Sequence, residues 1–271
     1  MRAIDTFVNV NMGSAERPAF LVRVAEDYFK RADAIFRDFS IAEMLEVMDR
    51  LGVEKAVLSA RPENPSRHVL AFAEQHPDRF PLAAYVDPRR GMPALRELAA
   101  LKRSHPVCIA RIVPFMINLP PDDRACYPVY AKCIELDLPI SVNTGIPGPP
   151  APARVQDPIL LDEVCLFFPE LKLVMAHGAD PWWQIAIRLM LKYPNLYLMT
   201  SAYAPKYFPA ELIHFMNTRG QDKILFASDH PVLSMERCLN EAAALDLREG
   251  VLDKVLYGNA ARLLFSQGGK S

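Results

Sequence analysis

Short apolar runs alternate with segments of helical hydrophobic spacing along most of the chain. Runs of apolar and β-branched residues predict strands, and apolar residues three and four positions apart predict amphipathic helices. The pattern predicts eight strands, at 3–10, 55–59, 81–86, 107–113, 140–143, 173–176, 196–200 and 224–227. Helices are predicted at 66–75, 92–103, 125–136, 158–168, 182–192, 209–219, 235–245, 249–257 and 259–265.

A further helix is predicted between the first two strands. Ser40 and Glu43 have the spacing of a capping box, in which each side chain satisfies a backbone N–H of the first turn. Gly52 is typical of the residue that ends a helix.

Strict alternation of strands and helices predicts a parallel sheet with right-handed crossovers. Eight such units favour a closed (β/α)8 barrel, the TIM barrel, over an open doubly wound sheet. The absence of a G-x-G-x-x-G segment after any strand weakens the dinucleotide-binding alternative. A length of 271 residues fits one barrel, so a single domain spanning 1–271 is predicted.

Two connections are long, at 11–39 and 144–157, and both leave the carboxyl ends of predicted strands. Barrel enzymes build their sites at this face. The insertion at 11–39 therefore predicts a lid and the proline-rich segment 144–157 a rigid wall, with ordinary surface loops as the alternative.

Composition narrows the classes of partner. The chain has 31 basic and 32 acidic residues, a net charge of −1 and no long run of like charge, so neither nucleic acid nor a membrane surface is expected as a partner. We see no signal peptide and no apolar stretch near the ~20 residues that span a bilayer. Five scattered cysteines without a C-x-x-C pair indicate reduced thiols and a cytoplasmic protein.

Polar residues at the predicted carboxyl ends of the strands are the candidates for chemistry. They are Asp5, Asn9, Arg61, Asp87, Arg111, Asn143, His177, Ser201, Tyr203, Asp229 and His230. A histidine and an aspartate at separate strand ends, such as His177 and Asp229, can converge across a barrel mouth as base, acid or metal ligands.

Five segments together resemble the amidohydrolase-related family (amidohydrolase family 2). They are IDTFVN, PISVNTG, LVMAHGADPWW, ILFASDHP and VLYGNAARLL, in the order and spacing of that family. The resemblance covers essentially the whole chain. It implies an amidohydrolase-like TIM barrel and either hydrolysis of amides, lactones and related bonds or non-oxidative decarboxylation of aromatic or unsaturated acids.

The chain departs from the family at the residues that hold its divalent metal. The first strand of the family carries Ile-Asp-x-His-x-His, and here the two histidine positions are Phe7 and Asn9. The fifth strand of the family ends in His-Thr-Gly, where this chain has Asn143. His177 and Asp229 remain, which is fewer than the three ligands of a catalytic zinc. We therefore expect no cofactor, with any weakly bound divalent metal held by His177 and Asp229.

Without a metal, water must be activated by a positioned base. Asp229 is the predicted general base, and His177 its partner or a donor to the developing oxyanion. Some relatives are thought to work without metal, so the departures do not imply inactivity. General-base help of ~10²–10⁴-fold favours an activated lactone or ester over an unactivated amide.

Arg61 and Arg111 predict a carboxylate-bearing substrate, because guanidinium groups bind carboxylates in bidentate pairs. Arg111 lies in an apolar strand and requires a partner; the alternative to substrate is a structural acid such as Asp5 or Asp87. The other predicted substrate-binding residues are Asn9, Asn143, Tyr203, His230 and Trp182. For Trp182 and Tyr203, packing is the ordinary alternative.

Three functions remain open. The first is a metal-independent hydrolase acting on a small carboxylate-bearing molecule. The second is a decarboxylase or other lyase using the same residues, and the third is a non-catalytic binding descendant. By analogy with relatives, a homodimer is possible.

Overall fold

In the described residues, eight parallel strands form one sheet whose spatial order is their order along the chain. The strands are β1 Ala3–Val8, β2 Val53–Ala60, β3 Leu82–Tyr85, β4 Val107–Ile112, β5 Ile140–Asn143, β6 Leu173–Ala176, β7 Leu196–Met199 and β8 Ile224–Leu225. The sheet closes on itself, because Val8 pairs with His230 in a parallel bridge and the Thr6 N–H donates to the Phe226 carbonyl at 3.1 Å. The predicted TIM barrel is confirmed.

The structure is a computed structural model that describes residues 1–14, 17 and 19–266. Its α-helices are α1 Ala19–Arg23, α2 Ala32–Ile35, α3 Ile41–Leu51, α4 Arg67–Gln75, α5 Met92–Ser104, α6 Pro114–Ile117, α7 Tyr127–Glu135, α8 Leu161–Phe167, α9 Trp183–Lys192, α10 Ala210–Met216, α11 Met235–Ala243 and α12 Val251–Asp253. Part of the predicted insertion (15, 16 and 18) and the end of the predicted domain (267–271) lie outside the described residues.

The predicted ends of α3 are confirmed. The Ser40 N–H donates to the Glu43 carboxylate at 2.8 Å, and the Ser40 hydroxyl accepts from the Glu43 N–H at 3.2 Å. Gly52 follows the helix with φ 71°, and a Cβ there would lie 2.1 Å from the Met1 carbonyl oxygen. A side chain is therefore excluded both by backbone conformation and by space.

Two predicted elements differ from the structure. Strand β8 is shorter than the predicted 224–227, because the Ala227 N–H donates to the Thr200 hydroxyl at 3.3 Å instead of continuing the backbone ladder. The predicted helix 249–257 is a single α-turn, α12, followed by the π-helical segment Lys254–Gly258.

The barrel interior is an apolar core at its amino-terminal end. One buried cluster contains residues from different strands, Ile4, Val57, Ile109 and Val174. Leu263, near the C-terminus, joins the same cluster. A second, larger cluster fills the layer between the strands and the surrounding helices. Because both layers are apolar, the polar side chains of the strands collect at the carboxyl end of the barrel.

Candidate active site

His177 and Asp229 occupy sharp turns that leave β6 and β8. Both have left-handed backbone, with φ 66° for His177 and φ 64° for Asp229. This conformation is uncommon for a residue that has a side chain, and it concentrates at functional sites. The Asp229 turn is held against the first strand, where its N–H donates to the Phe7 carbonyl at 3.0 Å.

The Asp229 carboxyl is buried and has one side-chain partner. Asn9 Nδ2 donates to Asp229 Oδ1 at 3.1 Å, and Oδ2 has no hydrogen-bond partner among the described residues. Burial raises the pKa of Asp229 well above its ordinary value, and Asp5 raises it further. The charge of Arg111 and the Asn9 hydrogen bond oppose this rise. Asp229 is thus a carboxyl that can hold and release a proton at a higher pH than an ordinary aspartate.

His177 is a neutral imidazole with a defined orientation. The Ser201 hydroxyl oxygen accepts from the His177 backbone N–H at 3.1 Å and lies 2.7 Å from His177 Nδ1. Nδ1 is the only acceptor found for the Ser201 hydroxyl in the described residues, so we assign the proton of the ring to Nε2. Burial and the charge of Arg111 lower the pKa of His177 to about 3. The ring can therefore donate a hydrogen bond but carries no positive charge near neutral pH.

Arg111 places a buried positive charge in this part of the barrel. Its guanidinium lies 3.5 Å from the centre of the Phe7 ring and donates to Ser141 Oγ, Ser59 Oγ and the Thr6 carbonyl at 3.2, 2.9 and 3.3 Å. The side chain is fully buried. Because all three acceptors are uncharged, the guanidinium charge has no ionic partner in the described part of the chain.

The two acids considered as partners of Arg111 are bonded elsewhere. Asp5 accepts from the Ser228 hydroxyl at 2.5 Å and from the Ser228 N–H at 3.0 Å. Asp87 accepts from the Arg89 guanidinium at 2.7 Å. Neither forms a hydrogen bond or ion pair with Arg111.

The Phe7 ring joins the parts of the site. It lies under Arg111 on one side, and its centre is 4.8 Å from that of the His177 ring. Asn143 ends the strand next to β6 and pairs in register with Ala176, the residue before His177. Its buried Oδ1 has no hydrogen-bond partner in the described residues. The structure thus brings five of the residues predicted at strand ends to one end of the barrel: Asn9, Asn143, Arg111, His177 and Asp229.

His230 also reaches this end of the barrel. Its ring is buried, neither ring nitrogen has a hydrogen-bond partner in the residues described, and it packs on Phe39 with ring centres 4.8 Å apart. Arg61 lies at the rim with its side chain 61% exposed. The guanidinium groups of Arg61 and Arg111 are 5.9 and 5.5 Å from the centre of the same ring, that of Tyr85, so both lie near one side chain.

The two remaining predicted residues have a weaker connection to the site. Tyr203 packs edge-on against Trp183 with ring centres 5.1 Å apart, next to Phe208. Trp182 is half-buried at the start of α9, and it is Trp183 that is fully packed. For Tyr203 the packing interpretation therefore has direct support, and contact of either residue with substrate stays a prediction.

Some residues of the site were not identified from the sequence. Ser59 and Ser141 hold the Arg111 guanidinium, and Phe39 covers His230. The signal that was available is a serine next to apolar residues within a strand, after 56–58 for Ser59 and between Ile140 and Val142 for Ser141. Nothing in the sequence distinguishes Phe39 from an ordinary core aromatic residue.

Two cavities of the surface lie away from these residues. One of about 490 Å³ lies between α9 and α10, and one of about 260 Å³ lies at the amino-terminal end of the barrel near Lys55 and Cys108. At the site itself, His177 and Asn9 are partly exposed.

The donor set of the site is a poor match to a transition metal. Within the described residues, no group of three or more histidine, cysteine, aspartate or glutamate side chains could hold a metal ion. Asn143 Oδ1 is an orphaned buried oxygen among the described residues of the site, and an amide oxygen suits a hard cation better than zinc. His177 and Asp229 are the remaining ligands of suitable type, and both feel the positive charge of Arg111.

The fold and the site define a (β/α)8-barrel protein of the kind that carries its polar residues at the carboxyl ends of the strands. A family model described as Amidohydrolase matches residues 6–265, and the chain belongs to the amidohydrolase family. The family resemblance of the sequence is therefore confirmed. No curated protein matches the chain in sequence.

Solved structures share the fold over nearly the whole chain. An uncharacterized TIM-barrel protein, Bb4693, from Bordetella bronchiseptica is 26% identical with a TM-score of 0.79, covering 97% of this chain and 98% of that one. A dihydroxybenzoic acid decarboxylase from Polaromonas sp. JS666, with bound manganese and 2-nitroresorcinol as inhibitor, is 20% identical with a TM-score of 0.68, covering 97% and 96%. A probable 2-pyrone-4,6-dicarboxylic acid hydrolase from Acinetobacter baumannii, with citric acid bound, is 16% identical with a TM-score of 0.65, covering 97% and 99%.

In the described residues, no helix has the length and apolar character needed to cross a membrane.

Proposed function

We propose that this protein is a metal-independent hydrolase that opens a carboxylate-bearing lactone or a similarly activated ester. The observation that carries the proposal is the buried guanidinium of Arg111 on the Phe7 ring. It supplies a fixed positive charge at the end of the barrel where the family has metal-binding histidines. Catalysis here thus depends on the chain's own cation, base and hydrogen-bond donor.

The electrostatic argument against a metal concerns the same guanidinium. A divalent ion held ~6 Å from it would be repelled by roughly 5 kcal/mol at an effective dielectric constant of ~20. Phe7, a residue without donor atoms, occupies one of the family's ligand positions and supports the guanidinium instead. Repulsion and a reduced ligand set both lower the affinity for a divalent cation.

In the proposed reaction the ionised form of Asp229, which the charge of Arg111 and the Asn9 hydrogen bond favour, acts as general base. Asn9 occupies Oδ1, so the free Oδ2 accepts a proton from water while the water oxygen bonds to the carbonyl carbon of the substrate. The Nε2–H of His177 donates to the resulting oxyanion. When the tetrahedral intermediate collapses, the carbon–oxygen bond of the leaving alcohol breaks and Asp229 returns the proton to that oxygen.

Arg111 is proposed to bind the substrate carboxylate, because its charge has no ionic partner in the described residues. Arg61 would assist from the rim, next to Tyr85. A paired charge also offsets part of the cost of burying the Arg111 guanidinium.

The test is a panel of carboxylate-bearing lactones and aryl esters assayed with the wild type and with Asp229→Asn. We expect Asp229→Asn to lower kcat by at least ~10²-fold while substrate binding is retained. Asp87→Asn is the matched control, since Asp87 lies at the same face and is bonded to Arg89; it is expected to keep activity. Full activity of Asp229→Asn would remove Asp229 from the mechanism, and binding without turnover across the panel would favour a non-catalytic descendant.

Decarboxylation is the second candidate. The raised pKa of Asp229 favours it, since a carboxyl that keeps its proton can deliver it to the carbon that loses carbon dioxide. The manganese-containing decarboxylase of the same fold is consistent with this chemistry in the family, although its metal has a poor ligand set here. Product analysis separates the candidates: hydrolysis adds water without releasing carbon dioxide, and decarboxylation releases it.

A further inference from the structure

His230 is a buried polar group without a partner at the end of β8. Its side chain is 8% exposed, and both ring nitrogens lack a hydrogen-bond partner in the described residues. Neutral imidazole has one donor and one acceptor nitrogen, and buried polar groups are nearly always satisfied. The site of His230 therefore lacks a polar group, and a ligand would supply it.

The insertion after β1 builds the surroundings of His230. Phe39 lies against the imidazole with ring centres 4.8 Å apart. Its backbone is fixed on both sides, because the Phe39 N–H donates to the Val10 carbonyl at 2.9 Å and the Phe39 carbonyl is 2.9 Å from His68 Nε2. Phe39 thus forms a fixed flat wall beside the unpartnered ring.

Arg31 adds an uncompensated positive charge. Its charge lowers the pKa of His230, second only to the effect of burial, which places the guanidinium in the electrostatic reach of the ring. No hydrogen bond or ion pair to its guanidinium is found among the described residues. Arg37 also acts on His230, but its charge is paired with Glu43. An anionic group next to His230 would therefore face an unpaired cation.

The position of this group relative to Asp229 is fixed by Asn9. The Asn9 side chain donates to Asp229 Oδ1, and the Asn9 N–H donates to the His230 carbonyl at 2.8 Å. Arg111 lies deep in the barrel, whereas Arg31 belongs to the insertion at its mouth. A molecule that contacts Asp229 thus has one buried cation towards the interior and another cation towards the mouth.

We infer that His230 and Arg31, with Phe39 as a fixed wall between His230 and the Arg37 guanidinium, form a second binding subsite, which takes a carboxylate of the substrate. The His230 ring donates a hydrogen bond to that carboxylate, and Arg31 neutralises it. The substrate then carries two carboxylates, one at this subsite and one at Arg111. This inference rests on the proposed function only for its choice of Asp229 as the reacting position.

The test compares benzoate with benzene-1,3-dicarboxylate as probes in isothermal titration calorimetry. We expect the wild type to bind the dicarboxylate at least ~10-fold more tightly than benzoate, as a charge-assisted contact predicts. Arg31→Met and His230→Phe are expected to abolish this preference, by weakening the binding of the dicarboxylate at least ~10-fold. His230→Phe keeps a ring against Phe39, and Arg31→Met changes a partly exposed residue of the insertion. Arg31→Met therefore remains informative if His230→Phe fails to fold.

Arg23→Met is the matched control on the same insertion, since Arg23 is exposed and lies beside Asp27; it is expected to keep the preference. Equal affinity of the wild type for the two probes would overturn the inference. A preference that survives in a folded Arg31→Met protein and in a folded His230→Phe protein would also overturn it. Because the experiment measures binding, a failure of hydrolysis leaves its result unchanged, and Asp229→Asn is expected to retain the preference.

Discussion

Replacement of Asp5 by asparagine is expected to change how the stability of the protein depends on pH. Asp5 is fully buried and accepts hydrogen bonds from Ser228 and from the Phe7 N–H. Burial raises the pKa of Asp5 from 3.8 to about 6, against the opposing effect of these hydrogen bonds. The network matters for the site, because the Ser228 hydroxyl in turn accepts from the His230 N–H at 2.9 Å.

The sign and size of the effect follow from the two pKa values. Between pH 4 and pH 6 the folded protein keeps a proton on Asp5 that the unfolded chain has lost, so the contribution of Asp5 to stability falls as pH rises. A shift of about two pH units at ~1.4 kcal/mol each amounts to about 3 kcal/mol. Asparagine resembles the protonated carboxyl in shape and does not titrate.

The assay is denaturant unfolding of the wild type and Asp5→Asn at several values between pH 4 and pH 7. The free energy of unfolding of the wild type minus that of Asp5→Asn is expected to fall by about 2 kcal/mol over this range, since the unfolded chain has already lost part of its proton at pH 4, while other titrating groups largely cancel in the difference. Asp87→Asn is the control, since Arg89 lowers the pKa of Asp87; the corresponding difference is not expected to fall. A constant difference for Asp5→Asn would refute the reasoning.

Three further substitutions test other parts of the structure. Ser40→Ala removes the helix cap and is expected to lower the free energy of unfolding by about 1 kcal/mol in the same denaturant assay, and no loss would contradict the cap's role. Ser201→Ala is expected to change the nitrogen-15 NMR spectrum of His177 from the Nε2–H tautomer to a mixture; an unchanged spectrum would mean that another group sets the tautomer. Phe7→His is expected to leave zinc binding weak, and addition of Arg111→Met to strengthen it at least ~10-fold by calorimetry. Equal zinc affinity with and without Arg111 would contradict the electrostatic argument.

The fold was predictable because its signals are local and repeated. Each strand is a short apolar run, and α3 carries both its capping box and its glycine stop in the sequence. Strand β8 was predicted too long, because a hydrogen bond from the Ala227 N–H to the Thr200 side chain is a tertiary contact that periodicity does not report. The C-terminal helix was misjudged for a related reason, since the π-helical turns after α12 follow the packing on the barrel.

The candidate site was predictable in its members but not in their pairing. Position at a strand end was enough to collect Asn9, Asn143, His177 and Asp229. The sequence left the partner of Arg111 open, and the structure gives it neutral acceptors and the Phe7 ring. Such contacts join residues 30 to 105 positions apart, and their choice depends on side-chain directions that no local pattern encodes.

In the proposed mechanism, Arg111 supplies the positive charge that a metal supplies in other members of the family. The most direct measurement is the metal content, by inductively coupled plasma mass spectrometry, of protein purified without chelator and without added metal. We predict ~0.1 equivalents or less of any divalent transition metal per chain, because His177 and Asp229 beside the Arg111 guanidinium are too few ligands to hold such an ion. Zinc or manganese near one equivalent per chain, lost in Asp229→Asn, would contradict it.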